Sequence, residues 1–180
     1  MKKFGRIIKN NLSFIITFVV IAALLVSVLF IFGIRIVTVD GPSMDTTLES
    51  GEKLVMTNFN YTPRTGDIIV VSKGASYDHP FIKRVIATEG QHLKLDYEND
   101  AIYVDGKKLD EPYINGSTFA GNYGNYVIPE VIPEGKLFVM GDNRYISRDS
   151  RSSSIGLVDR ENVMGKAQMA LFPFNRFGLL

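Results

Sequence analysis

The sequence predicts a mainly β domain of several short antiparallel strands, preceded by one N-terminal transmembrane helix. Two observations carry this. Leu12 to Ile34 runs without a charged residue, and as a helix that stretch would measure about 34 Å, enough to cross a hydrocarbon core of about 30 Å. Beyond Ile34 the texture changes: short runs rich in β-branched residues alternate with turn signals, and no long amphipathic helix interrupts them. The remaining chain, about 145 residues, suits a single domain with a core of its own. The predicted organisation is a cytoplasmic N-terminus over 1–11, an anchor over 12–34 and an extracytoplasmic domain over 35–180.

Charge sets the direction of the anchor. Lys2, Lys3, Arg6 and Lys9 precede it, and no acidic residue occurs before Asp40. Basic residues flanking a first span stay in the cytoplasm, so the C-terminal domain lies outside. A cleaved signal peptide would carry a shorter apolar run ending in a small-x-small site. The residues that follow here, Gly33 to Val39, offer none. A buried core helix is disfavoured because the run is apolar on every face.

Strands are read at Lys53–Thr57, Asp67–Ser72, Phe81–Thr88, His92–Asp96, Ala101–Val104, Lys107–Leu109, Leu137–Met140 and Val163–Leu171. Asp105-Gly106, between two of them, is a hairpin turn signal. Many short strands with turns between them favour a sandwich or barrel arrangement. Residues 111–135 differ, holding glycine, asparagine, tyrosine and three prolines, and are read as a long irregular excursion. The chain contains no cysteine, which excludes disulfides, thiolate catalysis and cysteine-ligated zinc. Two histidines, His79 and His92, are too few for a histidine-rich metal site. A net charge of +1 creates no field that would favour nucleic acid.

Three stretches hold candidate chemistry. Gly41-Pro42-Ser43-Met44 lies nine residues past Ile34, and a turn of this composition can expose a serine with its own N–H aimed outward, as an oxyanion donor requires. Lys83 lies in Phe81-Ile82-Lys83-Arg84-Val85-Ile86, with apolar neighbours on both sides. A lysine base must be neutral, yet at its ordinary pKa only about 0.04% of the amine is neutral at pH 7. Burial against apolar groups lowers that pKa, and lysine replaces histidine in some serine hydrolases. The third stretch, Gly141 to Arg151, is dense in hydrogen-bonding groups and directly follows an apolar strand. It offers an ion pair, Asp149 to Arg151 or Asp142 to Arg151, and hydroxyls that can orient another side chain.

Taken together and in this order, the stretches resemble the signature boxes of the type I signal peptidases. Gly41 to Gly51 is similar to the nucleophile box, Arg64 to Val70 to the next, Lys83 to Gly90 to the lysine box, and Gly141-Asp142-Asn143-Arg144 with Ser147, Asp149, Ser150 and Arg151 to the last. The resemblance implies a signal-peptidase-like β domain in a small Gram-positive-like form. It also implies an endopeptidase that cleaves signal peptides after small-x-small sites, with Ser43 as nucleophile and Lys83 as general base. It implies that the Ser43 backbone N–H is one oxyanion donor, that Ser147 hydrogen-bonds Lys83, and that Asp142, Asp149 and Arg151 brace the site. Met44 and Ile82 would line shallow pockets for small residues. Gly41 occupies the position of a second hydroxyl donor in some members, leaving that donor unassigned. Thr46 stands where members commonly have proline, and a local change in rigidity is expected there. No metal or cofactor is implied. The implied partners are exported preproteins and the lipid bilayer, with the secretion translocon as a further candidate, and no nucleic acid.

Three rivals remain. A Ser-His-Asp hydrolase would use His79 or His92. A self-cleaving repressor or a conjugation-pilus peptidase would share the serine/lysine β fold, although the anchor stands where a repressor needs a DNA-binding domain. An anchored β domain that only binds partners would need no turnover.

Overall fold

The computed structural model describes every residue except Met1, Phe32, Lys73, 75–77 and 121–126, and gives only the backbone for 2–11 and 29–31. The chain forms two compact units, Met1–Ile34 and Arg35–Leu180.

The first unit is one helix, α1 (Lys2–Ile31), followed by Gly33 in a left-handed turn at φ +59°. The helix starts well before Leu12 because the lysines and arginine ahead of the apolar run are adequate helix formers. Reading the boundary from hydropathy marked where charge stops, not where the helix begins. Its side chains are described over 12–28, about 25 Å of helix. Among the described residues no helix is long and apolar enough to cross a membrane; the span expected over 12–34 lies partly outside them. Within the described stretch large apolar side chains point outward, Phe14 75% and Phe18 67% exposed. Thr17 and Ser27 turn their hydroxyls onto the carbonyls of Ser13 and Ala23, which satisfies both polar groups without water.

The second unit is mainly β. Its strands are β1 (Arg35–Thr38), β2 (Lys53–Thr57), β3 (Ile68–Val71), β4 (Phe81–Thr88), β5 (Leu93–Asp96), β6 (Ala101–Val104), β7 (Lys107–Lys108), β8 (Lys136–Met140), β9 (Val158–Asp159), β10 (Val163–Phe172) and β11 (Gly178–Leu179). One sheet runs in the order β1-β2-β10-β3-β4-β8-β9, with β11 also pairing β10, and a smaller one runs β5-β6-β7. Every pairing is antiparallel. The β6–β7 hairpin turns at Asp105 and Gly106, both with positive φ, the geometry an Asp-Gly pair favours. Strands β1, β9 and β11 were not read from the sequence. Each is short and exists by pairing with a longer neighbour, as Ala170 and Met169 pair with Gly178 and Leu179. The described parts of 111–135 hold no regular strand or helix and touch the sheet through a bridge between Val131 and His92.

Strand β4 lies centrally, between β3 and β8. Ile82 joins Met44, Leu48, Leu54, Val70 and others in one core cluster. Phe81 and Val85 join Ile69, Val71 and Val139 in another, so alternation along β4 feeds both faces. A third cluster, with Ile86, Phe138 and Met140 from the large sheet and Leu93, Ile102 and Val104 from the small one, packs the two sheets together. An irregularity between Val85 and Ala87 in the β4–β8 pairing adds a residue to β4 and marks a bulge.

Candidate active site

Ser43 opens a tight turn ahead of β2. Asp45 N–H donates to the Pro42 carbonyl, and the N–H groups of Thr47 and Leu48 donate to the Met44 carbonyl. Burial of Met44 and Leu48 in the core fixes this turn from beneath. The Ser43 carbonyl accepts from the Asn143 N–H at 3.1 Å, and the Asn143 side chain donates to the Pro42 carbonyl at 3.2 Å. The Ser43 turn is thereby tied to the 141–151 loop. Among the described residues the Ser43 N–H donates to no protein acceptor.

Lys83 comes from β4, directly paired with Ile69 of β3. Its amine lies 2.7 Å from Ser43 Oγ, donates to the Ile82 carbonyl at 3.0 Å and sits 5.4 Å from the centre of the Phe81 ring. The side chain is 4% exposed. Burial lowers its pKa from 10.5 to about 8; the nearby Asp149 and Asp142 carboxylates oppose that shift, and Arg151 assists it. At about 8, roughly a tenth of the amine is neutral at pH 7, some two hundred times the ordinary fraction.

The two carboxylates are held by other cations. Asp149 takes Arg151 Nε and Nη2 at 2.8 Å each and accepts the Gly141 N–H at 3.0 Å. Asp142 takes Arg84 Nε at 2.9 Å and Nη2 at 2.6 Å, and Thr47 Oγ1 donates to it at 2.5 Å. Of the two pairings open from sequence, Asp149–Arg151 forms. Asp142 pairs with Arg84 instead, which the sequence reading left without a role. The loop is a buried polar network, not a solvated one: Asp142, Arg144, Ser147, Asp149, Ser150 and Arg151 are all buried. Arg151 also donates to the carbonyls of Thr118 and Arg144, so its donors meet acceptors as a buried guanidinium requires.

Ser147, Met44 and Ile82 lie differently from what the resemblance implies. Ser147 was expected to hydrogen-bond Lys83. Its hydroxyl is instead buried without a partner among the described residues, and the Ile82 carbonyl holds the amine. Met44, expected in a shallow pocket, is 1% exposed and belongs to the core cluster, as does Ile82 at 9%. Thr46 has φ +89°, far from the value near −65° that a proline ring imposes, so this turn is built differently from one with proline there. His79 and His92 are both exposed, and neither contacts Ser43; the partner of its hydroxyl is Lys83.

Gly141 packs closely against the Ser43 turn. A Cβ built on it would sit 2.2 Å from Ser147 Oγ and 2.4 Å from the Ser43 carbonyl oxygen, well inside contact distance. Gly141→Ala is therefore expected to lower turnover by about ten-fold or more through displacement of the Ser43 turn, checked by kcat on a preprotein substrate.

The folded protein resists protonation of Lys83. The penalty is full below pH 8 and is relieved as pH rises from about 8 towards 10.5, so stability gains about 3 kcal/mol across that window. Lys83→Met is expected to be more stable than the parent at pH 7, with the difference shrinking between pH 8 and 10. Urea midpoints of both proteins across that range test this.

The family described as signal peptidase, peptidase S26, matches residues 12–172. Signal peptidase IB of Staphylococcus aureus is 37% identical over 169 residues, covering 83% of this chain and 85% of its own. Signal peptidase I of Bacillus licheniformis is 36% identical over 179 residues, covering 93% and 92%. The crystal structure of a signal peptidase I from Enterococcus faecalis superposes with a TM-score of 0.48 at 27% identity, covering 59% of this chain and 97% of that one. With the family match spanning nearly the whole sequence and relatives of this likeness at almost full length, the chain belongs to the signal peptidase family of serine endopeptidases, peptidase S26.

Proposed function

We propose that this protein is a membrane-anchored signal peptidase that removes signal peptides from exported preproteins after small-x-small sites, with Ser43 as nucleophile and Lys83 as general base. The observation that carries the reading is the buried Lys83 amine 2.7 Å from Ser43 Oγ. Lys83 takes the hydroxyl proton as Ser43 Oγ attacks the scissile carbonyl carbon, and the Ser43 N–H receives the developing oxyanion. The lysinium then gives that proton to the departing amine, which leaves with the mature protein, while the signal peptide stays as an ester on Ser43. Water, deprotonated by Lys83, attacks the ester and frees the serine.

The carboxylates near Lys83 would hold its proton if they were free. Their pairing with Arg84 and Arg151 weakens that pull, so Asp142, Asp149 and Arg151 act as supports. Ser147 lies against the same turn with an unused hydroxyl, available to the amine once Ser43 has been acylated. The apolar run from Leu12 to Ile34 is the anchor, with the N-terminus cytoplasmic. Nine residues of chain separate it from Ser43, a tether of about 30 Å at most, which suits a substrate whose own apolar segment lies in the same bilayer. Exported preproteins and the bilayer are the partners, and the translocon that delivers the substrate is a further candidate.

The test is purified full-length enzyme with a preprotein in detergent or vesicles, and mass analysis of the cut. Ser43→Ala and Lys83→Arg should each lose about 10³-fold or more in kcat/KM, and parent-like cleavage by Lys83→Arg would contradict the mechanism, since arginine keeps the charge but cannot serve as base. The neutral amine is the active form, so kcat/KM should rise with pH, reach half its plateau near 8, and lose that limb in Lys83→Arg.

A further inference from the structure

Glu111 and Tyr113 open the irregular excursion and are far in sequence from every residue assigned a chemical role. In space they grip all three segments that supply the site. Tyr113 reaches the nucleophile turn: its main-chain carbonyl accepts from Thr46 Oγ1 at 2.5 Å. Its ring lies 3.8 Å from the Arg84 guanidinium carbon, beside Lys83 in β4. Its hydroxyl donates to Glu111 Oε1 at 3.0 Å. Glu111 in turn binds Arg144 through both guanidinium nitrogens, at 2.5 and 3.3 Å, with side chains 0% and 7% exposed for Arg144 and Glu111. Arg144 Nε donates to the Gly141 carbonyl at 3.0 Å, within the loop that carries Ser147.

The contact at Thr46 has a specific consequence. A β-branched residue at φ +89° occupies backbone space that L side chains rarely adopt, and such a conformation persists only when its surroundings hold it. Among the described residues, the hydroxyl bond to the Tyr113 carbonyl restrains the Thr46 side chain, three residues past Ser43.

We infer that Glu111 and Tyr113 are positioning residues, which act through Thr46, Arg84 and Arg144 to hold Ser43 and Lys83 at reacting distance. The inference rests on the Ser43–Lys83 reading, and the experiment separates the two. Full-length enzyme variants are assayed on a preprotein, with turnover expressed per site titrated by a serine-acylating inhibitor, so that partial misfolding drops out. Ser43→Ala comes first: parent-like cleavage there removes the reading on which the inference stands. With Ser43→Ala inactive, Thr46→Val should lower kcat per titrated site by about ten-fold, with KM within about two-fold. Thr46→Ser, which keeps the hydroxyl, should restore turnover to within about three-fold of the parent. Tyr113→Leu, which removes the ring from Arg84 and the hydroxyl from Glu111, should lower kcat in the same way. The double variant should lose less than the product of the two single losses, because both act through one clamp. Parent-like turnover per titrated site in either single variant, or equal losses in Thr46→Val and Thr46→Ser, overturns the inference.

Discussion

An amine taken out of water without a carboxylate in contact is the constraint on which the site depends. Lys83 is 4% exposed, and its hydrogen-bond partners are the Ser43 hydroxyl and the Ile82 carbonyl. Neutral partners of this kind compensate a positive charge only partly. A carboxylate at the same distance would favour the charged amine and so, on the proposed mechanism, deprive the serine of its base. The fold keeps two carboxylates in the vicinity and supplies each with its own guanidinium, Arg84 to Asp142 and Arg151 to Asp149. The arginines thus occupy the aspartates, as well as tying strands and loops together.

The site's construction explains why so polar a loop is buried. Gly141 to Arg151 lies between β8 and the nucleophile turn, and its groups find partners within a small space: Asp149 with Arg151 and the Gly141 N–H, Ser150 Oγ with the Val139 N–H, Arg151 with two carbonyls. A buried polar cluster stabilises one arrangement only when nearly every member is satisfied. Ser147 Oγ stands out here, as does one oxygen of Glu52. An unused hydroxyl packed against the reacting turn is the kind of local exception that sites, more than cores, retain.

Much of the fold could be read from the chain. β2, β4 and β6 lie where β-branched runs and turn residues put them, and the Asp105-Gly106 hairpin follows from the left-handed conformations those residues tolerate. What escaped reading depends on approach in three dimensions. Strands of two residues have no periodicity to detect. The start of α1 is invisible to hydropathy, because charged residues continue a helix as readily as apolar ones. At the site, the pairing of Ser43 with Lys83 follows from the family resemblance, and the two side chains lie 2.7 Å apart. The partner of Asp142 was not legible: the sequence suggests Arg151, and the fold brings Arg84 of β4 to it instead. Glu111 and Arg144 carry no local mark that they belong together, since 33 residues separate them.

The distance in sequence between Ser43 and Lys83 has a consequence for the enzyme's own synthesis. The two lie 40 positions apart in the chain, and what brings them into contact is the closure of β3, β4 and β8 beneath the turn. A chain still emerging from the ribosome has a serine and a fully charged lysine but no reagent. On the proposed mechanism, proteolytic power arrives only with the finished sheet.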